Sequence, residues 1–244
     1  HIEAGMRSFD KKMPEELNRV LTDHLSSILF CPSEISKKNL ENEGIINNVY
    51  VVGDILAECF QNYRLKAEQI AEDVLRKYAL EANNYILLTL HRAENVNNKE
   101  HMKKYLETIA ASKHTVLWPM HPNTEKKLIE YGLSGLLNEK PYKIIKPVGY
   151  IEMLALESKS IRIFTDSGGV QREAYYWRKP GVIFRDTTEW TEIVDNKWAY
   201  LFSPDDNSTT PWEKINSDEL TQINFYETSN VAKRIVDIME EKIK

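Results

Sequence analysis

Cysteine is scarce in this chain of 244 residues: only Cys31 and Cys59 are present. They form no CxxC pair, and no His/Cys cluster has zinc-ligand spacing, so a disulfide scaffold and a zinc ribbon are both excluded. The expectation is two reduced structural thiols in a cytoplasmic protein, with no metal. Long apolar runs are missing too. None approaches the roughly 18 residues a membrane span needs, so no membrane partner is expected. No basic run stands out, and the net charge is -5, which argues against nucleic acid as a partner. Repeats and low-complexity tracts are absent. An initiator Met is absent as well: the chain opens on His1, and the expectation is that the first part of a domain lies upstream. For the same reason the lack of a visible signal peptide excludes nothing.

What is present is a sizeable apolar fraction, 42%, in a length that suits one large domain or two small ones. Eight short apolar runs have strand length: "SILFCPS", "VYVVGD", "YILLTLH", "HTVLWPM", "YKIIKPVGY", "IRIFTDSGG", "PGVIFRD" and "WAYLFSP". Amphipathic stretches alternate with them, and helices are predicted at 14–27, 33–43, 55–80, 99–112, 123–132, 151–158, 169–177, 188–195 and 227–244. Near-continuous apolar strands alternating with helices imply an α/β fold with a parallel, doubly wound sheet. The stretch from Tyr85 to Leu201 has enough strands to stand alone. The segment before the long helix has only two clear strands and reads as the tail of another α/β domain.

Ligands of such sheets bind at the carboxyl ends of the strands. Those ends carry Gly53-Asp54, His91–Asn95, His121–Lys127, Gly149-Tyr150, Asp166–Glu173 and Arg185–Trp190. In "TDSGGVQREA" a buried strand runs through Ser167, Gly168 and Gly169 into a helix. A helix N-terminus presents unsatisfied N–H groups and partial positive charge, and glycines admit an anion closely, so the loop suits a diphosphate. Glu173 could accept from ribose hydroxyls. An ordinary Ser-capped turn fits the same residues. His91 and His121 occupy matching strand-end positions, suited to acid, base or phosphate contacts, or to a structural role. "MPEELNR" starts a helix with Pro14 in its first turn; Glu15 and Arg19 are four apart and fit either chemistry or a surface ion pair. In "RDTTEWTE", Thr187 or Thr188 is expected to cap a helix beginning at Glu189.

Taken together and in order, "HIEAGMRSF", "MPEELNR", "CPSE", "VVGD", "HRAEN", "HP", "PVGY", "TDSGGVQREA" and "RDTTEW" resemble the non-hydrolysing UDP-N-acetylglucosamine 2-epimerases, from His1 to about Asp195. The resemblance implies two Rossmann-like domains of glycosyltransferase-B architecture facing a cleft, the N-terminal one incomplete. Residues 1–58 would be the end of that domain, 59–225 the UDP-binding domain, and 226–244 a helix crossing back. It also implies roles. Glu3 matches the acid of H-[VI]-E-A-G, Glu15 and Arg19 match P-E-E-x-N-R, and His91 is the active-site histidine. Ser167, Gly168, Gly169 and Glu173 match the UDP loop, with Tyr150 of "PVGY" counted beside them. His121 is tied to effector or substrate contacts in some members. "TTEWTE" departs from the common "TTERPE", and the "EAGMRSF" and "TEW" forms look more like relatives acting on UDP-2,3-diacetamido-2,3-dideoxyglucuronic acid.

The reaction so implied converts UDP-GlcNAc to UDP-ManNAc in surface-polysaccharide precursor synthesis, with no cofactor, in a cytoplasmic homodimer. Carbon 2 bears no acidic proton. Breaking the C1–O bond first builds oxocarbenium character that acidifies it; a carboxylate then removes the proton, and UDP re-adds while a proton arrives on the other face. Two carboxyls are needed, and Glu3 and Glu15 are the candidates. A glycosyltransferase of the same architecture and an inactive nucleotide-sugar-binding fragment are the rival readings.

Overall fold

A computed structural model describes residues 1–138, 141–215, 220, 226 and 228–242. The chain divides into two compact units. The first comprises His1–Asn62, Thr187–Glu192 and, in its described residues, Gln222–Lys244; the second comprises Tyr63–Asp186 and Ile193–Thr221.

In the first unit, helix α1 (Pro14–Leu25) leads to β1 (Leu29–Cys31), α2 (Glu34–Asn42) and β2 (Val49–Val51). β1 and β2 pair in parallel, Leu29 against Val49, and Ile2 bridges to Phe30 on the other side of β1. Ser33 caps α2, its hydroxyl accepting from Ser36 N, which satisfies one orphan donor of the first turn. The small core holds Ala4, Leu29, Cys31 and Leu40. A second patch joins Phe30 and Val52 to Val231 and Ile235 of α10 (Val231–Lys242).

α1 is unusual. Its inward face carries Met13, Glu16 and Asp23, while Leu17, Leu21 and Leu25 are exposed. The ordinary amphipathic pattern is reversed, because the space beneath the helix is filled by a polar loop that those two carboxylates hold.

The long helix α3 (Ile55–Lys77) leads into the second unit. There β3 (Tyr85–Thr89), α4 (Ala93–Val96), α5 (Lys99–Ala110), β4 (Thr115–Pro119), α6 (Pro122–Glu130), β5 (Tyr142–Ile145), α7 (Tyr150–Lys159), β6 (Arg162–Thr165), α8 (Gly168–Tyr176), β7 (Gly181–Ile183), α9 (Thr191–Asp195) and β8 (Ala199–Leu201) follow in turn. The sheet is six-stranded and fully parallel, in the order β5-β4-β3-β6-β7-β8. β3 is buried at every position, which is why its sequence does not alternate. Ile86, Leu88, Val116, Trp118, Phe164 and Phe184 fill the core with Tyr105 and Phe202. Each such side chain is worth about 1.5–3 kcal/mol when fully buried.

All eight expected strands are present, and the expected helices lie within a few residues of expectation, with two corrections: the short helix α4 was not expected, and one expected helix starts late. The helix expected from Glu189 starts only at Thr191. Thr188 does not cap it. Its hydroxyl accepts from Trp190 N at 3.2 Å in a tight Thr turn. Trp190 is buried against Tyr226, 5.5 Å between ring centroids, and this anchoring holds the segment out of helix. The last helix is described from Val231; positions 227, 243 and 244 of the expected 227–244 lie outside the described residues.

Candidate active site

The strand order reverses between β3 and β6: β4 and β5 lie on one side, β7 and β8 on the other. A crevice at the carboxyl ends of the strands is expected at such a switch point. His91 follows β3 there, and Ser167, Gly168 and Gly169 follow β6.

Asp166 organises this crevice. Its side chain is fully buried. It accepts from His91 N at 2.9 Å, Arg92 N at 2.8 Å and Asn95 Nδ2 at 3.1 Å. Its other oxygen lies 3.2 Å from His91 Nδ1. The imidazole, half-exposed, is thereby held by Nδ1 and offers Nε2 elsewhere. The hydrogen bond to Asp166 raises the His91 pKa above its ordinary value, more than burial and nearby Arg92 lower it.

Ser167 caps α8, its hydroxyl accepting from Val170 N at 3.5 Å. The N–H groups of Gly168 and Gly169 lie in the first turn ahead of that bond, among those a helix leaves without intrahelical partners. Ser167 therefore acts as an ordinary cap, with Gly168 and Gly169 in the first turn of α8. Glu173 is buried further along α8. Glu157 of α7 is wholly buried near it, and burial together with the Glu173 charge pushes Glu157 well above the carboxylate range.

Beside this loop is a cavity of about 200 Å³, lined by Leu90, His91, Pro119, His121, Val148 and Val170 among others. It is smaller than the about 300–1,000 Å³ that encloses a drug-sized ligand, a size suited to part of one. His121 caps α6, its Nδ1 accepting from Asn123 N at 3.2 Å. Tyr150 is exposed at the start of α7, edge-on to Tyr63 at 6.0 Å.

The remaining site residues of the sequence reading lie in the first unit. Glu3 is half-buried in the "HIEAG" loop, with φ +65°. Glu15 is exposed on α1, whereas its neighbour Glu16 is buried and bonded to Arg19 Nη2 at 2.7 Å. Glu16 also accepts from Ser8 N and Oγ at 3.0 Å and from Phe9 N at 2.9 Å. Burial works to raise its pKa, but these bonds more than reverse that, and it lies below its ordinary value. Arg19 also lies 3.8 Å from Glu189 of the "TTEW" stretch, and Glu192 accepts from Ser33 Oγ at 3.0 Å.

Sequence reasoning placed Asp166 and Asn95 at strand ends without giving either a role, and gave no site role to Glu16 or Asp23. Asp166 stood in "TDSGG" as the last residue before the loop, and a carboxylate at a buried strand end was its signal. Glu16 and Asp23, seven apart on the face that also carries Met13, signalled a polar inward stripe. Among the described residues, no cluster of His, Cys, Asp and Glu could hold a metal ion, and no helix is long and apolar enough to cross a membrane.

A fully parallel sheet whose strand order reverses at its centre, with a glycine-opened helix and a carboxylate-held histidine at that point, defines the class of doubly wound α/β proteins. The family model described as UDP-N-acetylglucosamine 2-epimerase matches residues 1–240, and the chain belongs to that family. It is 45% identical over 202 residues to a UDP-N-acetylglucosamine 2-epimerase homolog of Methanococcus maripaludis, covering 82% of this chain and 57% of that protein. It is 40% identical over 201 residues to UDP-2,3-diacetamido-2,3-dideoxy-D-glucuronate 2-epimerase of Pseudomonas aeruginosa, covering 80% of this chain and 53% of that one. The crystal structure of Methanocaldococcus jannaschii UDP-GlcNAc 2-epimerase in complex with UDP-GlcNAc and UDP superimposes with a TM-score of 0.82. Identity there is 40%, over 99% of this chain and 68% of that one. The chain thus spans little more than half the length of the curated relatives it matches.

Proposed function

We propose that the protein carrying this chain is a non-hydrolysing UDP-N-acetylglucosamine 2-epimerase, interconverting UDP-GlcNAc and UDP-ManNAc by elimination and re-addition of UDP. The observation that carries the reading is the switch-point loop, where Gly168 and Gly169 open α8 beside a histidine held by a buried aspartate. In this reading the diphosphate sits on the α8 N-terminus with His91, and Glu173 takes the ribose. His121 and Tyr150 contribute to substrate binding at neighbouring strand ends. Those groups stabilise the leaving UDP as the C1–O bond breaks. Glu3 and Glu15 move protons at carbon 2, and Arg19 orients an acid. The proposed division is 1–58 for the sugar-side domain, 59–225 for the UDP domain and 226–244 for a helix returning to the first. Packing of Val231 and Ile235 against Phe30 and Val52 supports the last assignment. A cytoplasmic homodimer belongs to the same proposal; two free cysteines support the compartment.

The test is NMR of UDP-GlcNAc incubated in D₂O with the full-length protein and no nicotinamide. UDP-ManNAc should appear, and deuterium should enter carbon 2. Intact substrate without exchange would refute the reading. Glu15→Gln should keep UDP affinity and lose turnover by about 10²–10⁴-fold. A near-normal rate would return Glu15 to a surface role, consistent with its exposure.

A second reading has one observation in its favour: the Pseudomonas enzyme named for the diacetamido-glucuronate sugar is 40% identical, and "TTEW" looks like that branch. Assaying both UDP-sugars side by side decides which is turned over faster.

A further inference from the structure

Glu3 sits in a backbone conformation that a side-chain-bearing residue adopts only at a cost. Its φ is +65°, and Gly5 two residues on has φ +75°. Such a shape persists only when its surroundings over-determine it. Here both flanks are tied to β1: Phe30 N donates to His1 O at 2.9 Å, and Ala4 N donates to Phe30 O at 2.9 Å. On the far side of the loop there is no room for another path. A Cβ on Gly5 would lie 2.1 Å from Ser36 O of α2.

One side chain grips the loop on either side of Glu3. Asp23 of α1 is fully buried, with an oxygen 2.5 Å from His1 Nδ1. Its other oxygen accepts from Gly5 N at 3.1 Å and lies 2.7 Å from Arg7 Nη1. Arg7 is itself fixed by a two-point contact with Glu43, at 2.7 and 2.8 Å. A buried charge with this many partners is a rigid post. It bonds to residues 1, 5 and 7 but not to Glu3, so it sets the crest of the loop by holding its feet.

We propose that Asp23 is the positioning residue for Glu3, fixing the "HIEAG" loop so that the Glu3 carboxylate is presented for proton transfer at carbon 2. The proposal rests on the reading of Glu3 as an acid–base group. Proton transfer requires heavy atoms within about 2.6–3.2 Å, and a misplacement near 1 Å can cost about 10² in rate. A carboxylate on a strained loop gains most from an external clamp.

The experiment compares Glu3→Gln, Asp23→Asn and the double variant in the full-length enzyme, with turnover, KM, UDP affinity and thermal midpoint measured for each. Asp23→Asn should lower kcat by at least about tenfold while UDP affinity stays within about twofold, since UDP is assigned to the other unit. The double variant should be no slower than Glu3→Gln alone, because Asp23 acts through Glu3. Additive losses would overturn the proposal, as would near-normal kcat in Asp23→Asn when Glu3→Gln is inactive. A near-normal Glu3→Gln enzyme would instead overturn the acid–base reading, and the proposal with it. Ile235→Ala, in the apolar core of the same unit and outside the clamp, separates positioning from stability: it should lower the thermal midpoint with little change in kcat. If it slows turnover as much as Asp23→Asn does, global loosening is the cause and the proposal fails. Should Asp23→Asn not fold, His1→Ala leaves Asp23 paired with Arg7 and asks the same question. It should be slow and non-additive with Glu3→Gln, and additivity would refute the clamp.

Discussion

Two aspartates, Asp23 in the first unit and Asp166 in the second, are both fully buried, and both collect several donors. They do opposite things with their charge. Asp23 meets a buried guanidinium, Arg7, at 2.7 Å. Burial alone would raise its pKa, but the bonds from His1 and Arg7 more than reverse this, and it lies below its ordinary value. Its charge is consumed in holding a loop. Asp166 instead meets backbone N–H groups, an amide and a half-exposed imidazole. Its charge raises the pKa of His91, a ring that solvent reaches. A buried carboxylate is thus a structural post when a buried cation answers it, and a tuning element when the answer is a titratable group at the surface of a crevice.

Arg7→Met should break the first arrangement hardest. It leaves Asp23 buried without its cation, a change that costs about 3–5 kcal/mol. Chemical denaturation should register that loss, while UDP affinity below the unfolding transition should not change. A loss under about 1 kcal/mol would mean that Asp23 does not depend on Arg7.

Next in size is Gly169→Val, aimed at the second arrangement. A branched side chain in the first turn of α8 should keep UDP from the backbone N–H groups and weaken binding by at least about tenfold, about 1.4 kcal/mol. Calorimetry reads the affinity and circular dichroism the fold. Unchanged affinity would remove the loop from the UDP site.

Proton linkage sharpens the contrast, because the two units should respond to pH with opposite sign. Asp23 and Glu16 have depressed folded values. Their contribution is present above their unfolded values, about pH 4, and is lost as pH falls through the folded ones. His91 has a raised folded value. Its contribution is full below about pH 6.5 and is lost as pH rises through the folded value. Hydrogen-exchange protection factors of residues 1–9, taken against the intrinsic rate at each pH, should therefore fall in acid, and those of 91–95 in mild alkali. Asp166→Asn should move the His91 titration, followed by NMR, to lower pH. An unmoved titration would show that Asp166 holds the loop without tuning the ring.

The smallest effect is expected at Lys38, whose exposed contact with Glu41 at 3.1 Å belongs to neither arrangement. Lys38→Ala should change stability by no more than about 0.5 kcal/mol, which calibrates the larger losses against an ordinary surface pair.

The sheet was legible in the sequence because its strands are buried on both faces and bounded by polar strand ends. Continuous apolar runs such as "YILLT" and "TVLWP" admit few other arrangements at that length, and the positions of His91, His121 and the glycine loop follow from where those runs stop. The motif order carried the family in the same way, since local strings survive without knowledge of what they touch. Pairing of charges did not follow from local strings. Glu15 and Arg19 have the spacing of a helix-face pair, yet Arg19 meets Glu16, three residues away, and Glu189, far along the chain. Thr188 has the composition of a cap, yet burial of Trp190 beside Tyr226 decides that its segment turns before the helix starts. The inward face of α1 shows the reason. Apolar burial is nondirectional and nearly a sum over residues, so a one-dimensional pattern reports it. A buried charge is tolerated only where specific partners converge on it, and for Asp23 those partners come from positions 1, 5 and 7, whose meeting exists only once the chain has folded.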